Sequence, residues 1–344
     1  MKVKTKKGLR ITALVLASIV LLYAVIAFFP RFDNYKLANP MLKESEFPIL
    51  IAHGGGNKEF PDNTLEAFYN AYSVDERVMM ETDVSITKDG VIILSHDTTL
   101  DRKTNVTGNI ADWNYSDLIE QKVDFGYNNP TDDDDKLNGE RVHFKDDNGV
   151  EKYPTDVTYP EGVAPRDETV FLATTLEELL IAFPDNRVNV EIKQSGDLGI
   201  KALNEVIKLL DEHDAFDRVV LASFHEEIYD EFTRLQKSGE VPEDFMYSPS
   251  YDAATEFYVL QLLGLDVFFD DGMCVFQIPM EKHGFDLATK HFVKTANRHN
   301  LAVHYWTIND IDDMKHLIEI GADGIMTDYP HRLKEVYDEY KTNK

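Results

Sequence analysis

Two carboxylates and an imidazole lie close together in ETDVSITKDGVIILSHD, residues 81–97. Glu81 and Asp83 are one residue apart in a strand-like run, and alternate residues of a strand point to the same side. Their Cα atoms would be about 6.6 Å apart at a rise of about 3.3 Å per residue, so both could bind one cation. Oxygen ligands favour Mg²⁺ or Ca²⁺ over zinc. The alternative is that the two acids form ion pairs with Arg or Lys inside the protein.

Other polar residues at strand ends could complete such a site. Glu191, in RVNVEIK, offers a third carboxylate, and Lys193 lies two residues further on as a fixed positive charge. His53 and His96 each follow an apolar run, and imidazole is the usual proton shuttle near neutral pH. A cation and a lysine could neutralise phosphoryl oxygens while two imidazoles act as acid and base. The set therefore suits phosphodiester cleavage, although a lone histidine at a strand end is often structural.

The glycine run that follows His53 is a weaker signal. Gly54–Gly56 would let backbone N–H groups approach an anion closely, which suits a phosphate. A tight turn explains the same run equally well.

Strands and helices alternate along most of the chain, which predicts a parallel sheet with helices outside it. Polar residues cluster where the predicted strands end, as in a (β/α)8 TIM barrel whose chemistry sits at the C-terminal face. A doubly wound sheet is the alternative, but no Gly-rich dinucleotide loop supports it. The strand-like runs slightly outnumber eight, so one is expected to be an edge or hairpin strand. The clearest strand-like runs are 48–53, 78–86, 91–96, 187–193, 218–224, 265–270, 301–310 and 322–330, and the predicted helices are 63–73, 175–183, 198–213, 287–300 and 311–321.

One segment interrupts this alternation. Residues 124–169 are rich in Asp, Asn, Pro and Gly, and a helix with a Thr cap resumes at Thr175. We therefore predict an insertion after the third strand rather than a domain boundary. Its run of aspartates is expected to be a solvated or ion-binding loop, and the insertion could also form a lid over the site.

The N-terminus carries a membrane-anchor pattern. Residues 1–10 are basic, and residues 11–29 contain no charge over a length close to the roughly 30 Å hydrocarbon core. A cleaved signal peptide is the alternative, but its apolar region is usually shorter, about 7–15 residues. The basic flank should stay in the cytoplasm, which predicts a single-pass protein of the cell membrane with its catalytic domain outside. Residues 30–47 would then be a linker, and residues 48–340 the barrel domain.

Composition excludes several classes of function. The formal net charge of −27 over 344 residues makes nucleic-acid binding unlikely, because an acidic surface repels phosphate backbones. The single cysteine, Cys274, excludes an internal disulfide and a multi-thiolate metal site.

These motifs resemble those of the glycerophosphodiester phosphodiesterase family over about residues 49–333. IAHGGG followed by PDNTLEAF is similar to the family's first-strand motif and its Pro-Glu-Asn-Thr helix start. METDVSITKDGVIILSHDTTLDRKTNVTG is similar to its metal and second-histidine block. TTLEELLIAFP, VNVEIK, YWTIND and GADGIMTDYPHRL resemble its later motifs in the same order.

The resemblance implies a TIM barrel that hydrolyses glycerophosphodiesters to glycerol phosphate and an alcohol. It makes His53 and His96 the acid/base pair, and it assigns one divalent cation, Ca²⁺ or Mg²⁺, to Glu81, Asp83 and Glu191. The neighbouring glycerol hydroxyl would act as an internal nucleophile and give a cyclic phosphate, which explains why no protein nucleophile is needed.

The resemblance also indicates how substrate would bind. Lys193 would contact the phosphate and Trp306 would lie near the glycerol, with Gly54 at the phosphate side of the site. The family commonly has His-Arg-Gly where this chain has His53-Gly54, and Asp62 replaces the usual Glu of the helix start. A missing Arg–phosphate contact puts the substrate in doubt more than the reaction. The cation, Lys193 or a lid residue such as Arg102 could compensate.

Three readings of function therefore stay open. The first is an anchored phosphodiesterase whose partners are the membrane and a glycerophosphodiester or lysolipid-like small molecule. The second is a lysophospholipase D or a phosphatidylinositol-type phospholipase C. The third is a non-catalytic binding barrel, which the presence of both histidines and all three acids disfavours.

Overall fold

Eight parallel strands form a nearly closed barrel in the computed structural model, which describes residues 2–128 and 141–342, with side chains from residue 10 onward. The strands are β1 Ile49–Ala52, β2 Met79–Ile86, β3 Ile92–Leu94, β4 Tyr127–Asn128, β5 Val142–His143, β6 Val188–Ile192, β7 Val219–Ala222, β8 Met246–Tyr247, β9 Val275–Ile278, β10 Glu281–Lys282, β11 Phe285–Asp286, β12 Ala302–Tyr305 and β13 Gly324–Thr327. The barrel strands follow the order β8-β7-β6-β2-β1-β13-β12-β9, and β3 pairs with β2. At the two ends of this order, the Cys274 N–H donates to the Tyr247 carbonyl at 3.2 Å.

The helices that follow barrel strands lie outside the barrel, and most of them bury an apolar face against it. The sequence leaves Asn63 and Thr64 as alternative caps of the helix predicted at 63–73, and the structure shows Thr64 as the cap, accepting from the Ala67 N–H. The predicted start at Thr175 is confirmed, because Thr175 forms a capping box with Glu178. The helices are α1 Lys2–Phe28, α2 Leu65–Val74, α3 Tyr115–Glu120, α4 Leu176–Ala182, α5 Gly196–Glu212, α6 Glu226–Ser238, α7 Tyr251–Leu262, α8 Lys290–Asn297, α9 Ile311–Ile320 and α10 Pro330–Thr342.

The predicted barrel is confirmed, but two of its predicted strands are not barrel strands. The run 91–96 contains β3, which pairs antiparallel with β2 and is the expected extra strand. The run 265–270 is wrong as a strand, because residues Asp266–Phe268 form a 3-10 turn. The Asp266 carboxylate is buried there and accepts two hydrogen bonds from Arg31. The prediction missed β8 and β9, which supply the fifth and sixth barrel strands.

The insertion follows β3, in the place that the sequence predicts. Its described part contains the β4/β5 hairpin, in which Tyr127 pairs with His143. The run of aspartates at 132–135 lies outside the described residues.

The linker fills the N-terminal end of the barrel. Met41 and Tyr35 are buried in one cluster with inward-facing strand residues such as Ile51 and Val220. The Asn39 amide donates to the carbonyls of Cys274 and Asn300, both at 2.7 Å. Residues 31–47 therefore form the floor of the barrel rather than a free spacer.

His304 fastens this floor from inside the barrel. Its ring is fully buried, and its Nε2 lies 2.8 Å from the Met41 carbonyl. Burial disfavours the charged imidazolium and lowers the pKa of His304 to about 4. The ring is therefore neutral in the folded protein at neutral pH.

We expect this histidine to make the fold sensitive to acid. Its pKa is lower in the folded than in the unfolded chain, so the stability it gives is present above about pH 6.5 and is lost as the pH falls toward 4. The slope should reach at most about 1.4 kcal/mol per pH unit for one proton. Denaturant unfolding of the detergent-solubilised protein across this range measures it. A His304→Gln variant should lose that part of the slope, and an unchanged slope would contradict the assignment.

Candidate active site

A cavity of about 200 Å³ opens at the C-terminal ends of the barrel strands. Every candidate site residue except Gly54 lines this cavity. The residues brought together there include His53, Glu81, Asp83, His96, Glu191, Lys193 and Trp306.

Three carboxylates form the floor of this cavity, and we call Glu81, Asp83 and Glu191 the carboxylate cluster. Each offers one oxygen, and these oxygens lie within 4.8 Å of one another. Glu81 and Asp83 are both buried on β2, and Glu191 comes from the neighbouring strand in direct register with Asp83. The strand alternation therefore brings the two acids of β2 to one side, as the sequence predicts.

An asparagine at the start of the helix predicted at 63–73 orients Asp83. The Asn63 Nδ2 donates to Asp83 Oδ2 at 3.1 Å, and its Oδ1 accepts from the Asp83 N–H at 3.1 Å. Asn63 has φ of 59°, a left-handed conformation that asparagine tolerates better than most residues. Its place directly before the capping Thr64 is the one signal in the sequence that could have pointed to it.

The carboxylate cluster places more potential negative charge in a buried place than the neighbouring lysine offsets. Burial, together with repulsion from Asp83, raises the pKa of Glu81 to about 8, and burial also raises the pKa of Glu191. Burial opposes ionisation of Asp83 too, but nearby Lys193 and His96 outweigh it and lower the pKa of Asp83. Lys193 Nζ lies 2.9 Å from Glu191 and 3.3 Å from Asp83. One lysine thus faces three acids.

The donor set fits a hard divalent cation. All three ligands are carboxylate oxygens, which Ca²⁺ and Mg²⁺ prefer. Glu81 accepts one hydrogen bond from the Gly54 N–H at 2.8 Å, and it lies 3.9 Å from the imidazole of His53. A dication would relieve the repulsion that holds the pKa of Glu81 high.

His53 is held by a carboxylate from the last barrel strand. Its Nδ1 lies 2.6 Å from Asp328 Oδ1, and the Asn309 amide fixes the other oxygen of Asp328 at 2.7 Å. Burial opposes a charge on the ring, but the bond with Asp328 and the charge of Glu81 outweigh it and raise the pKa of His53 to about 10. The Nε2 atom is left facing the carboxylate cluster.

His96 is held in a similar way by its neighbour. Its Nδ1 lies 3.0 Å from Asp97 Oδ1, and Arg102 grips both oxygens of Asp97 at 2.8 and 2.9 Å. Burial lowers the pKa of His96, whereas Asp97 and Asp83 raise it, with a net upward shift. Arg102 is buried behind Asp97, so it is not the lid residue that the sequence suggested as a substitute for the missing Arg.

An aromatic pair borders the cavity on the side of β7 and β12. Trp306 follows β12, and its ring centroid lies 6.1 Å from that of Phe224, which is 70% exposed. Trp306 is a candidate from the sequence, whereas Phe224 is not. A lone Phe at the end of a buried strand does not look different from a core residue.

Asp62, which replaces the usual Glu of the family's helix start, is paired with a lysine in the structure. Asp62 is buried and forms an ion pair with the buried Lys103. The positive charges of Lys103 and Arg102 outweigh the effect of burial and hold the pKa of Asp62 well below its usual range. Asp62 is therefore ionised and positions Lys103 close to the Arg102–Asp97 pair.

The sequence model of the glycerophosphoryl diester phosphodiesterase family matches residues 53–332, a stretch that contains every candidate site residue. The chain belongs to this family. It is therefore an enzyme of the phosphoric diester hydrolase class.

Individual relatives agree with the family match. A glycerophosphodiester phosphodiesterase of Caldanaerobacter subterraneus is 26% identical over 292 residues, which cover 83% of this chain and 96% of the relative. A lysophospholipase D of Rattus norvegicus is 25% identical over 308 residues, which cover 83% of this chain and 84% of the relative. The structure of an Oleispira antarctica phosphodiesterase, solved with its product sn-glycerol-3-phosphate, has the same fold, with a TM-score of 0.58, 20% identity, and coverage of 85% of this chain and 97% of that one.

The conformation of Gly54 is compatible with the glycine that this chain has in place of the family's usual arginine. This residue, which stands where the phosphodiesterase family commonly has Arg, has φ of 54°, which disfavours a side chain. A Cβ there would also collide with Asn57 Oδ1. The Asn57 amide instead lies 3.1 Å from His53 Nδ1. Asn57 thus takes the space beside His53 that a side chain at position 54 would need.

We expect Gly54→Arg not to restore the family's usual contact. The substitution should destabilise the fold by more than about 1 kcal/mol, because an L-residue is forced to a positive φ in a crowded place. Gly90→Arg is the matched control, since Gly90 has φ of 88° with no atom within 4 Å of a Cβ. Urea denaturation should show a larger loss for Gly54→Arg than for Gly90→Arg, and equal losses would mean that Asn57 does not crowd position 54.

Proposed function

We propose that this phosphodiesterase hydrolyses glycerophosphodiesters to glycerol phosphate and an alcohol by metal-dependent histidine acid/base catalysis. The observation that carries the proposal is one arrangement: two imidazoles, each fixed through Nδ1 by an aspartate, line one cavity with the carboxylate cluster. A structural histidine pair would not need a group of buried acids beside it.

Glu81, Asp83 and Glu191 would hold one Ca²⁺ or Mg²⁺ ion. Such an ion acts as a Lewis acid toward phosphoryl oxygens and neutralises the charge that develops there. The three acids come from β2 and β6, which are adjacent barrel strands, so their positions do not depend on a mobile loop.

Proton transfer would fall to His53 and His96. One imidazole removes the proton from the glycerol hydroxyl next to the phosphate, and the other gives a proton to the oxygen of the departing alcohol. The glycerol oxygen forms the new P–O bond as the bond to the alcohol breaks. Water then opens the cyclic phosphate with the two proton transfers reversed. Asp328 and Asp97 keep each ring oriented and stabilise its charged form.

The remaining cavity residues would bind substrate. Lys193 supplies a fixed positive charge for the phosphate, and the Gly54 backbone stands on the same side next to Glu81. Trp306 would lie against the glycerol. A relative solved with sn-glycerol-3-phosphate supports a ligand of this size, and we propose the same product for this chain.

A lysophospholipase D reaction is the second candidate, because a relative of that name matches most of the chain. The exposed Phe224 beside Trp306 could contact a longer apolar group.

The basic N-terminus and the apolar helix favour a single-pass protein of the cell membrane with the barrel outside. By length and composition the helix segment Arg10–Phe28, with a mean hydropathy of 2.7, could cross a bilayer.

Choline release from glycerophosphocholine tests the proposed reaction. We expect release with Ca²⁺ or Mg²⁺ and its loss with a chelator. The products must be glycerol phosphate and choline. Release of choline from lysophosphatidylcholine alone would favour the lysophospholipase D, a cyclic phosphate that persists would favour the phospholipase C type of reaction, and turnover that survives full chelation would refute metal dependence.

A further inference from the structure

The apolar helix does not hang freely from the barrel but packs against its N-terminal face. Tyr23 Oη donates to the Leu263 carbonyl at 2.6 Å, and a Cβ at Gly264 would lie 2.9 Å from the same hydroxyl. Ala24, Ile26 and Ala27 are half-buried, whereas most of the rest of Arg10–Phe28 is exposed. The last two turns of the helix therefore lie against the connection between α7 and β9.

The segment that joins this helix to the barrel is short, and its contacts with the barrel begin at Arg31. Arg31 Nε and Nη2 bind the Asp266 carboxylate at 2.6 and 2.8 Å, and His299 reaches the same carboxylate at 3.1 Å. From Phe28 to Arg31 the chain can extend at most roughly 10 Å. The N-terminal face of the barrel must therefore lie close to the bilayer surface at which the helix ends.

Exposed apolar side chains stand on that face beside the helix. Val259, Leu262 and Leu263 follow helical spacing at the end of α7 and are 47%, 58% and 51% exposed, and Phe268 in the next turn is 60% exposed. We call these four residues the membrane-proximal patch. Tyr23 lies five residues before the end of the apolar segment, about 7.5 Å along the helix, so in a bilayer that the segment spans, its partner Leu263 lies just inside the outer hydrocarbon boundary. Apolar groups at this depth are the pattern of interfacial insertion.

The catalytic cavity lies at the other end of the barrel. β2 has eight residues and runs from the N-terminal face to the carboxylate cluster and beyond. At about 3.3 Å per residue and a tilt of about 36°, the four steps from Met79 to Asp83 place the carboxylate cluster about 11 Å above the start of that strand. The phosphate of a lipid in the same bilayer would have to rise by that distance to reach Lys193.

We propose that the membrane-proximal patch inserts into the lipid surface beside the anchor and that the catalytic face opens away from this bilayer. The substrate would then be a water-soluble glycerophosphodiester, or a glycerol-phosphate polymer in the aqueous space, and not a lysolipid embedded in the enzyme's own membrane. The substrate class in this inference rests on the proposed function, whereas the orientation rests on the contacts of the helix with the barrel. Apolar insertion must supply the attraction, because a chain of net charge −27 is repelled by anionic lipids.

Depth-dependent fluorescence quenching tests the orientation in the full-length protein. Leu263→Cys places a label in the membrane-proximal patch, and Ile311→Cys places one on the exposed start of α9 at the catalytic face. The one native cysteine, Cys274, is buried and should stay unlabelled. In phosphatidylcholine vesicles with nitroxide-labelled lipid, we expect most of the fluorescence at position 263 to be quenched and that at 311 to be retained. Leu262→Cys is a second patch variant in case Leu263→Cys fails to fold.

The same vesicles separate this proposal from the proposed function. We expect choline release from dissolved glycerophosphocholine and none from lysophosphatidylcholine held in the bilayer. Quenching at 263 without any diester turnover would refute the proposed function and leave the orientation standing. Diester turnover with quenching at 311, or without quenching at 263, would overturn the orientation. Turnover of embedded lysophosphatidylcholine would overturn the substrate class.

Discussion

Replacing His53 with alanine is expected to lower kcat for glycerophosphocholine by about 10²–10⁴-fold, the usual contribution of a positioned acid or base. The substitution removes the ring that Asp328 orients at 2.6 Å and that faces Glu81 at 3.9 Å. His96→Ala should cause a loss of the same order. Steady-state choline release at saturating Ca²⁺ measures both, and the bound cation should be retained because neither histidine belongs to the carboxylate cluster.

His331 offers a matched control for this experiment. It also forms a histidine–carboxylate pair, with Nδ1 2.6 Å from Glu59 Oε2, but it is largely exposed and outside the cavity. We expect His331→Ala to leave kcat within the error of the wild type. If His53→Ala keeps the wild-type rate, or if His331→Ala loses as much, the assigned acid/base role is wrong.

The second large effect is expected from Asp83→Asn. This change keeps the shape of the side chain and its contacts with Asn63 but removes the negative charge that faces Lys193 and would face the proposed cation. Loss of even an indirect partner of a metal ligand typically costs about 10–100-fold in affinity or activity, so a direct ligand should cost at least about 100-fold in both. Titration calorimetry with Ca²⁺ and choline release would measure the two losses.

Asp323→Asn is the control for burial in that comparison. Asp323 is as buried as Asp83 but lies at the opposite end of the barrel, where it accepts from Asn297 at 2.7 Å. Its substitution should leave Ca²⁺ affinity unchanged at temperatures where the protein is folded. Undiminished Ca²⁺ binding by Asp83→Asn would remove Asp83 from the proposed ligand set.

The barrel and the approximate position of its site could be predicted because both follow from local periodicity. Alternation along β2 put Glu81 and Asp83 on one side, and parallel strands bring their carboxyl ends to one face. The extra strand expected beyond eight is the antiparallel β3. These features depend on neighbours in the chain or on adjacent strands, which one sequence can reveal.

Pairings across the whole chain could not be predicted in the same way. His53 and Asp328 are 275 residues apart, and they meet because β1 and β13 are neighbours in the barrel. The sequence shows that both residues follow predicted strands, but it does not show that they pair. Asn57 was missed for a similar reason, since its contact with His53 depends on the left-handed backbone at Gly54.

The errors in strand assignment have a different cause. LDVFFD was predicted as a strand because it is apolar, but Asp266 within it is tied to Arg31 and His299. β8 has only two residues, too few to show a period, and its place is fixed by pairing with β7. Tertiary contacts decided the conformation in both cases.

The packing of residues 31–47 into the N-terminal end of the barrel determines where a protease could release the barrel from the proposed membrane anchor. A protease that cuts at residues 29–30 would free a fragment that keeps the Arg31–Asp266 ion pair and the buried Tyr35 and Met41. That fragment should stay folded and active in solution. A cut beyond Met41 would instead remove Tyr35 and Met41 from the barrel and expose its apolar interior to water. Release of an active fragment and inactivation would therefore be separated by about a dozen residues of chain.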